Sequence, residues 1–109
     1  MRESAIERHL RRAVEAAGGQ VRKVQWLGRN GAPDRVVMAA ARPLTRSLDC
    51  AWCRPRGRTV WVELKAPGEK PTRAQQREHE RMRDAGQEVR VIDSLTAADA
   101  LVQELFGHG

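Results

Sequence analysis

The chain of 109 residues reads as an α/β domain, a sheet with helices on both sides. Three observations lead to that class. Apolar residues recur at helical spacing near both ends of the chain. Short runs rich in β-branched residues alternate between apolar and polar in the middle. Gly- and Pro-rich segments separate these runs, and the resulting order is helix, three strands, helix, strand, helix. At this length one hydrophobic core suffices, so residues 1–109 are expected to form a single domain.

The first helix spans Glu3 to Ala17. Ile6, Leu10, Ala13, Val14 and Ala17 fall on one face, and Gly18-Gly19 ends the pattern. At about 100° per residue, Glu3 lies inside this apolar stripe and Glu7 at its edge, about 20° from Val14. Arg8, Arg11, Arg12 and Glu15 lie on or toward the other side. Gln20 to Leu27 alternates loosely and offers Val21, Val24 and Trp26 to a first strand. Gly28-Arg29-Asn30-Gly31-Ala32-Pro33 is a loop. Asp34 stands at the mouth of a second strand, Arg35 to Ala40.

Ala41 to Gly57 has no periodicity and carries Pro43, Pro55, Arg42, Arg46, Arg54, Arg56, Cys50 and Cys53. It reads as a loop insertion joining two antiparallel strands. A connection of that length has a task or is a solvated insertion, and its arginines suit contact with phosphates. Two cysteines are half of a structural zinc site, which two chains could share; a reduced, inert pair is the plainer reading.

The third strand, Val60-Trp61-Val62-Glu63-Leu64-Lys65, is the centre of the pattern. Side chains alternate between faces, so Val60, Val62 and Leu64 point one way and Trp61, Glu63 and Lys65 the other. A buried carboxylate and ammonium are costly unless they serve each other, a metal or a substrate. After the loop Ala66 to Pro71, Thr72 caps a helix that runs to about Ala85, with Gly86 at its end. Gln75, His79 and Met82 share its inward stripe, which suits a polar neighbour. Glu78, Glu80, Arg77, Arg81 and Arg83 are expected on its solvated face. Glu88 to Ile92 is a fourth strand. Asp93-Ser94 turns into a last helix, Thr96 to Phe106, with Leu95, Ala98, Leu101, Val102 and Leu105 inward.

Composition narrows the partners. With 40% hydrophobic and 31% charged residues the chain is a soluble, cytoplasmic type. It holds no apolar run near the length of a membrane span and opens on no signal-peptide pattern. The formal net charge is +6, and only Lys23, Lys65 and Lys70 of its 20 basic residues are lysines. Arginine presents a planar fork of donors that matches phosphate, so a polyanion partner is expected. Arginine-rich codon usage is the alternative account of much of the Arg:Lys ratio, but it does not explain the surplus charge.

Asp34, Glu63 and Lys65 make a chemical set if their strands are neighbours. Two carboxylates about 4 Å apart repel by roughly 4 kcal/mol at an effective dielectric near 20. One of them holds a proton, or a cation sits between them. A hard ion such as Mg²⁺ takes oxygen ligands, which Asp34, Glu63, the Leu64 carbonyl and Glu7 can supply. Lys65 can hold an attacking water or a phosphate oxygen as charge builds. A metal, a lysine and a basic surface together suit hydrolysis of a phosphodiester.

These residues also resemble a family. Pro33-Asp34 followed by Glu63-Leu64-Lys65 resembles the PD-(D/E)XK nuclease signature. The surroundings are similar to its VRR-NUC branch: Gly31-Ala32-Pro33-Asp34-Arg35-Val36-Val37, Trp61 to Gly68, Pro71-Thr72 with Gln75 and Glu78-His79, then Gly86 and Val91-Ile92-Asp93-Ser94. The resemblance covers nearly the whole chain; the 41–57 insertion with its cysteine pair departs from it. It implies a restriction-endonuclease-like αβββαβ core, here with an extra C-terminal helix, and DNA cleavage dependent on Mg²⁺ or Mn²⁺. By motif, Asp34 and Glu63 bind metal, Lys65 is the catalytic lysine, and Gln75 matches the glutamine near the site.

Glu7 is taken as the first-helix acid, because it precedes Gly18 much as the helix-one glutamate of related junction resolvases precedes its glycine. Glu3 is the competing assignment. Small stand-alone members resemble phage or bacterial enzymes that act on branched DNA such as Holliday junctions or flaps, often as dimers. A homodimer in a bacterial or phage-infected cell, with no membrane partner and no small-molecule cofactor, is therefore expected. A DNA-binding module without catalysis and a zinc-bridged assembly protein are the readings to set against it.

Overall fold

The computed structural model describes residues 2–40 and 57–107. In chain order these form α1 (Glu3–Ala16), β1 (Gln20–Lys23), β2 (Arg35–Ala39), β3 (Arg58–Leu64), α2 (Arg73–Asp84), β4 (Glu88–Ile92) and α3 (Leu95–Phe106). The strands make one four-stranded sheet in the order β1-β2-β3-β4. β2 runs antiparallel to both β1 and β3, and β4 lies parallel to β3. Parallel neighbours need a crossover, and α2 provides it. The predicted α/β class, element order and added C-terminal helix hold, and the sheet is mixed.

Alternation along β3 sorts the layers. Val60, Val62 and Leu64 join Val37 on one face, where Ile6, Leu10 and Val14 of α1 and Ala98, Leu101 and Leu105 of α3 complete the core. Each large aliphatic side chain removed from water there contributes about 1.5–3 kcal/mol. α2 covers the opposite face, burying Met82, His79 and Glu78. No helix among the described residues is long and apolar enough to cross a membrane.

Several element ends and the burial of one residue differ from the sequence reading. β1 stops at Lys23 rather than Leu27. One further rung forms, from the Val24 amide to the Asp34 carbonyl at 2.9 Å. Trp26 then leaves the ladder, and its indole Nε1 donates to the Pro33 carbonyl at 2.8 Å. α3 starts at Leu95, because the Ser94 hydroxyl accepts from the Ala97 amide and caps it. Glu78, expected on a solvated face, is only 5% exposed, and one of its two partners, Arg29, comes from the loop between β1 and β2. The 41–56 stretch, with both cysteines and Arg42, Arg46, Arg54 and Arg56, lies outside the described residues.

Candidate active site

The loop between β1 and β2 sets the position of Asp34, and it is fastened from three sides. Gly31 has φ +84°, and a Cβ there would meet the Ala74 carbonyl oxygen at 2.6 Å. Only glycine allows both that backbone conformation and that approach to the start of α2. Arg29 reaches from the loop to Glu78 of α2, with its Nη2 2.9 Å from Oε1, and Arg81 adds a second contact at 3.1 Å. The two guanidiniums hold the Glu78 carboxyl below the usual range. Trp26 bonds Pro33 and packs obliquely on Trp61, with ring centroids 5.2 Å apart.

This loop delivers Asp34 to the end of β2. Arg35 stands opposite Val62 in the register, so the residue before it comes level with Glu63. The two strands are neighbours, as the chemical argument required. Asp34 remains half-exposed, with Oδ2 3.2 Å from Arg35 Nη1. Glu63 is 8% exposed. Burial pushes its carboxyl up to about 7; Lys65 opposes the shift, and Asp34 and Glu3 add to it.

His79 completes the setting. Its ring is 2% exposed, and its Nε2 lies 3.3 Å from Glu63 Oε1. Burial lowers its basicity, with Arg83 acting in the same direction. Both partners therefore lean to their neutral forms, and a single hydrogen bond joins them. Lys65 is as buried as Glu63. Its amide donates to the Ile92 carbonyl at 2.9 Å, which ties the end of β3 to β4. Its Nζ is 3.9 Å from Glu69 Oε1, too long for a hydrogen bond.

The other predicted site residues are placed differently. Gln75 is half-buried and serves the start of α2. Its side chain accepts from the Thr72 amide at 2.9 Å, while its own amide donates to the Thr72 hydroxyl at 3.2 Å. That is a capping box. Glu7 gives both carboxylate oxygens to Arg11, at 2.7 and 2.8 Å from Nη2, and lies 3.8 Å from Arg35 Nε. Arg11 holds it below its usual pKa range. The first-helix acid whose charge acts on Glu63 is Glu3. Leu64, whose carbonyl was a candidate ligand, is aligned with Ile92 in the parallel register.

No three His, Cys, Asp or Glu side chains among the described residues converge as a ready-made metal cage. An ion here would draw on two carboxylates, main-chain oxygen and water. Beside Asp34 opens a cleft of about 620 Å³, lined among others by Lys23, Trp26, Arg29 and Asp34.

Sequence reasoning missed the His79–Glu63 bond, the Arg29–Glu78 clamp and the position of Arg35 between Asp34 and Glu7. The polar inward stripe of α2 was the only signal for the first. Nothing in the spacing signalled the other two.

No protein-family model matches the chain. The chain is 42% identical over 101 residues to "Putative nuclease p44" of Acyrthosiphon pisum secondary endosymbiont phage 1, covering 93% of this chain and 92% of that protein. A solved structure described as a VRR_NUC domain superposes with a TM-score of 0.70 at 35% identity, covering 93% of this chain and 94% of that one. With that likeness along nearly its full length, and with Pro33-Asp34 and Glu63-Leu64-Lys65 meeting at adjacent strand ends, the chain belongs to the VRR-NUC family of nucleases.

Proposed function

We propose that this protein is an endonuclease that hydrolyses phosphodiester bonds in DNA with Mg²⁺ or Mn²⁺, acting on branched DNA such as Holliday junctions or flaps. The observation that carries the reading is a carboxylate, Glu63, buried next to Asp34 on the strand that also places Lys65. Alone, Glu63 is held near neutral by burial and by the negative charge of Asp34. A divalent cation would reverse that balance, since it favours both carboxylates in their ionised, oxygen-donating form. The donor set is hard oxygen throughout and fits Mg²⁺ or Mn²⁺ better than a thiophilic ion.

Asp34, Glu63 and the Leu64 carbonyl would hold the ion. Glu7, with both oxygens on Arg11, would join through a water, and Glu3 competes for that place. When bound, the ion supplies a water of lowered pKa and screens the phosphate charge. Lys65 donates to a non-bridging phosphate oxygen as negative charge develops, from a cramped site where a fixed donor is worth more than in water. His79 fixes the orientation of the Glu63 carboxyl. Gln75 borders the same end of α2 and holds the helix start in register with the loop before Asp34.

The resemblance to small phage-type members favours branched substrates and a homodimer. One site per chain also needs a second copy to cut two strands symmetrically.

The test is a panel of four-way junction, flap and plain duplex, each with Mg²⁺, with Mn²⁺ and with chelator. Nicking that requires metal, and is faster on the junction or flap than on the duplex, is the expected result. Binding with no nicking under any metal would make the protein a DNA-binding module. Equal cutting of all three would remove the branched preference alone.

A further inference from the structure

We infer that a second phosphate of the substrate, neighbouring the one that is cut, sits in the cavity formed by α1 and the β1–β2 edge. This rests on the nuclease reading and adds a binding site to it. The cavity holds about 250 Å³ and is lined by Glu7, Arg11, Val21, Lys23 and Arg35. Three cations face one carboxylate, a formal surplus of two positive charges.

That carboxylate is held mainly by Arg11. Arg11 binds Glu7 through Nε at 3.0 Å and through Nη2 to both oxygens. Arg35 is 3.8 Å from Glu7, beyond a hydrogen bond. Glu7 therefore braces two guanidiniums, and Arg35 keeps donors for an incoming anion. A guanidinium offers five N–H groups in a planar fork, and Arg11 commits only part of its set. Lys23 is exposed and enters no ion pair among the described residues.

Position fixes the class of ligand. Arg35 also touches Asp34, at 3.2 Å. Lys23 lines both this cavity and the cleft that contains Asp34 and Arg29. A backbone crossing Asp34 thus meets cations on both sides of it. An extended chain of phosphates matches this arrangement, with one phosphate at the cavity and its neighbour at Asp34 and Glu63.

The experiment compares Arg11→Gln/Lys23→Gln with Arg8→Gln/Arg12→Gln, which removes the same charge from other positions of α1. Binding to a four-way junction is measured in chelator across a salt series, and cleavage with Mn²⁺. The first pair should weaken binding about tenfold and lower the slope of log affinity on log salt by about 1–2. It should raise KM more than it lowers kcat. Lys23→Gln alone, which leaves the Arg11–Glu7 pair intact, should lower the slope by about 1 and guards against misfolding of the double variant.

An unchanged slope, or an equal loss in the Arg8/Arg12 variant, overturns the proposal. So does saturable binding of inorganic phosphate that leaves DNA binding unaffected, since the cavity would then be a small-anion site. Failure of the nuclease reading looks different: the unaltered protein would not nick DNA under any metal.

Discussion

Toward its C-terminal end β3 is buried on both faces, and the two are chemically opposite. Val60, Val62 and Leu64 are 0–2% exposed against α1 and α3, while Glu63 and Lys65 on the other face are each 8% exposed beneath α2. The first face lowers the free energy of folding by excluding water. The second excludes water around groups that want it, and the raised Glu63 and depressed His79 record that cost. One strand thus carries both core side chains and a carboxyl whose charge its surroundings oppose. A rigid strand buried on one side is a good mount for a carboxylate that must keep its position on the other. The lesson is that burial alone does not mark a core residue; the partner across the gap does.

The contrast can be broken from either side. The largest effect is expected on the polar face, where Lys65→Ala should lower metal-dependent nicking by roughly 10²–10³-fold, as loss of a transition-state donor does. Far-UV circular dichroism and junction affinity in chelator should stay near those of the unaltered protein. Cleavage within a few-fold of the original would take Lys65 out of the chemistry.

On the apolar face, Leu64→Ala should cost about 2–5 kcal/mol in denaturant unfolding. Leu64 is 2% exposed in the centre of the core, where little can collapse into the gap. A cost below about 1 kcal/mol would mean that the face is packed less tightly than its burial implies.

Glu63→Gln separates the two faces through pH. In the metal-free fold the carboxyl titrates near 7 rather than the usual 4.5, so the native state prefers the protonated form. That contribution to stability is complete below pH 4.5 and is lost as pH rises through 7. Glutamine mimics the protonated acid at every pH. The variant should match the original near pH 4.5 and exceed it by on the order of 2 kcal/mol at pH 8 without metal. Thermal melts across pH with chelator test this. If the two curves stay parallel from pH 4.5 to 8, the Glu63 carboxyl is not perturbed by its setting. Under the proposed function, adding Mn²⁺ at pH 8 should stabilise the original and not the variant.

Much of the molecule was readable in advance because the signals are local. The apolar stripes of Ile6, Leu10 and Val14, and of Ala98, Leu101 and Leu105, have helical period and became the helix faces of the core. The alternation of Val60 to Lys65 assigned each side chain to its face. Thr72 and Gly86 marked the ends of α2. The failures are equally instructive. Trp26 looked like a strand residue by composition, yet its indole finds the Pro33 carbonyl across a turn. Glu78 looked solvated by helical position, yet Arg29 arrives from a loop 49 residues away in sequence and covers it. Gln75 also closes a capping box with Thr72, a role its spacing allowed and the sequence reading did not name.

The order of elements, the two faces of the central strand and the Asp34, Glu63 and Lys65 set were determined by the sequence alone, because period, turn residues and residue type act over a few neighbours. Which acid of α1 acts on Glu63, which histidine bonds it, and which arginines crowd Glu7 and Glu78 were decided only by tertiary structure. Those outcomes depend on how far apart two elements settle and on which long side chains reach across. A carboxylate carries no mark in the chain of the cation, or the burial, that will set its charge.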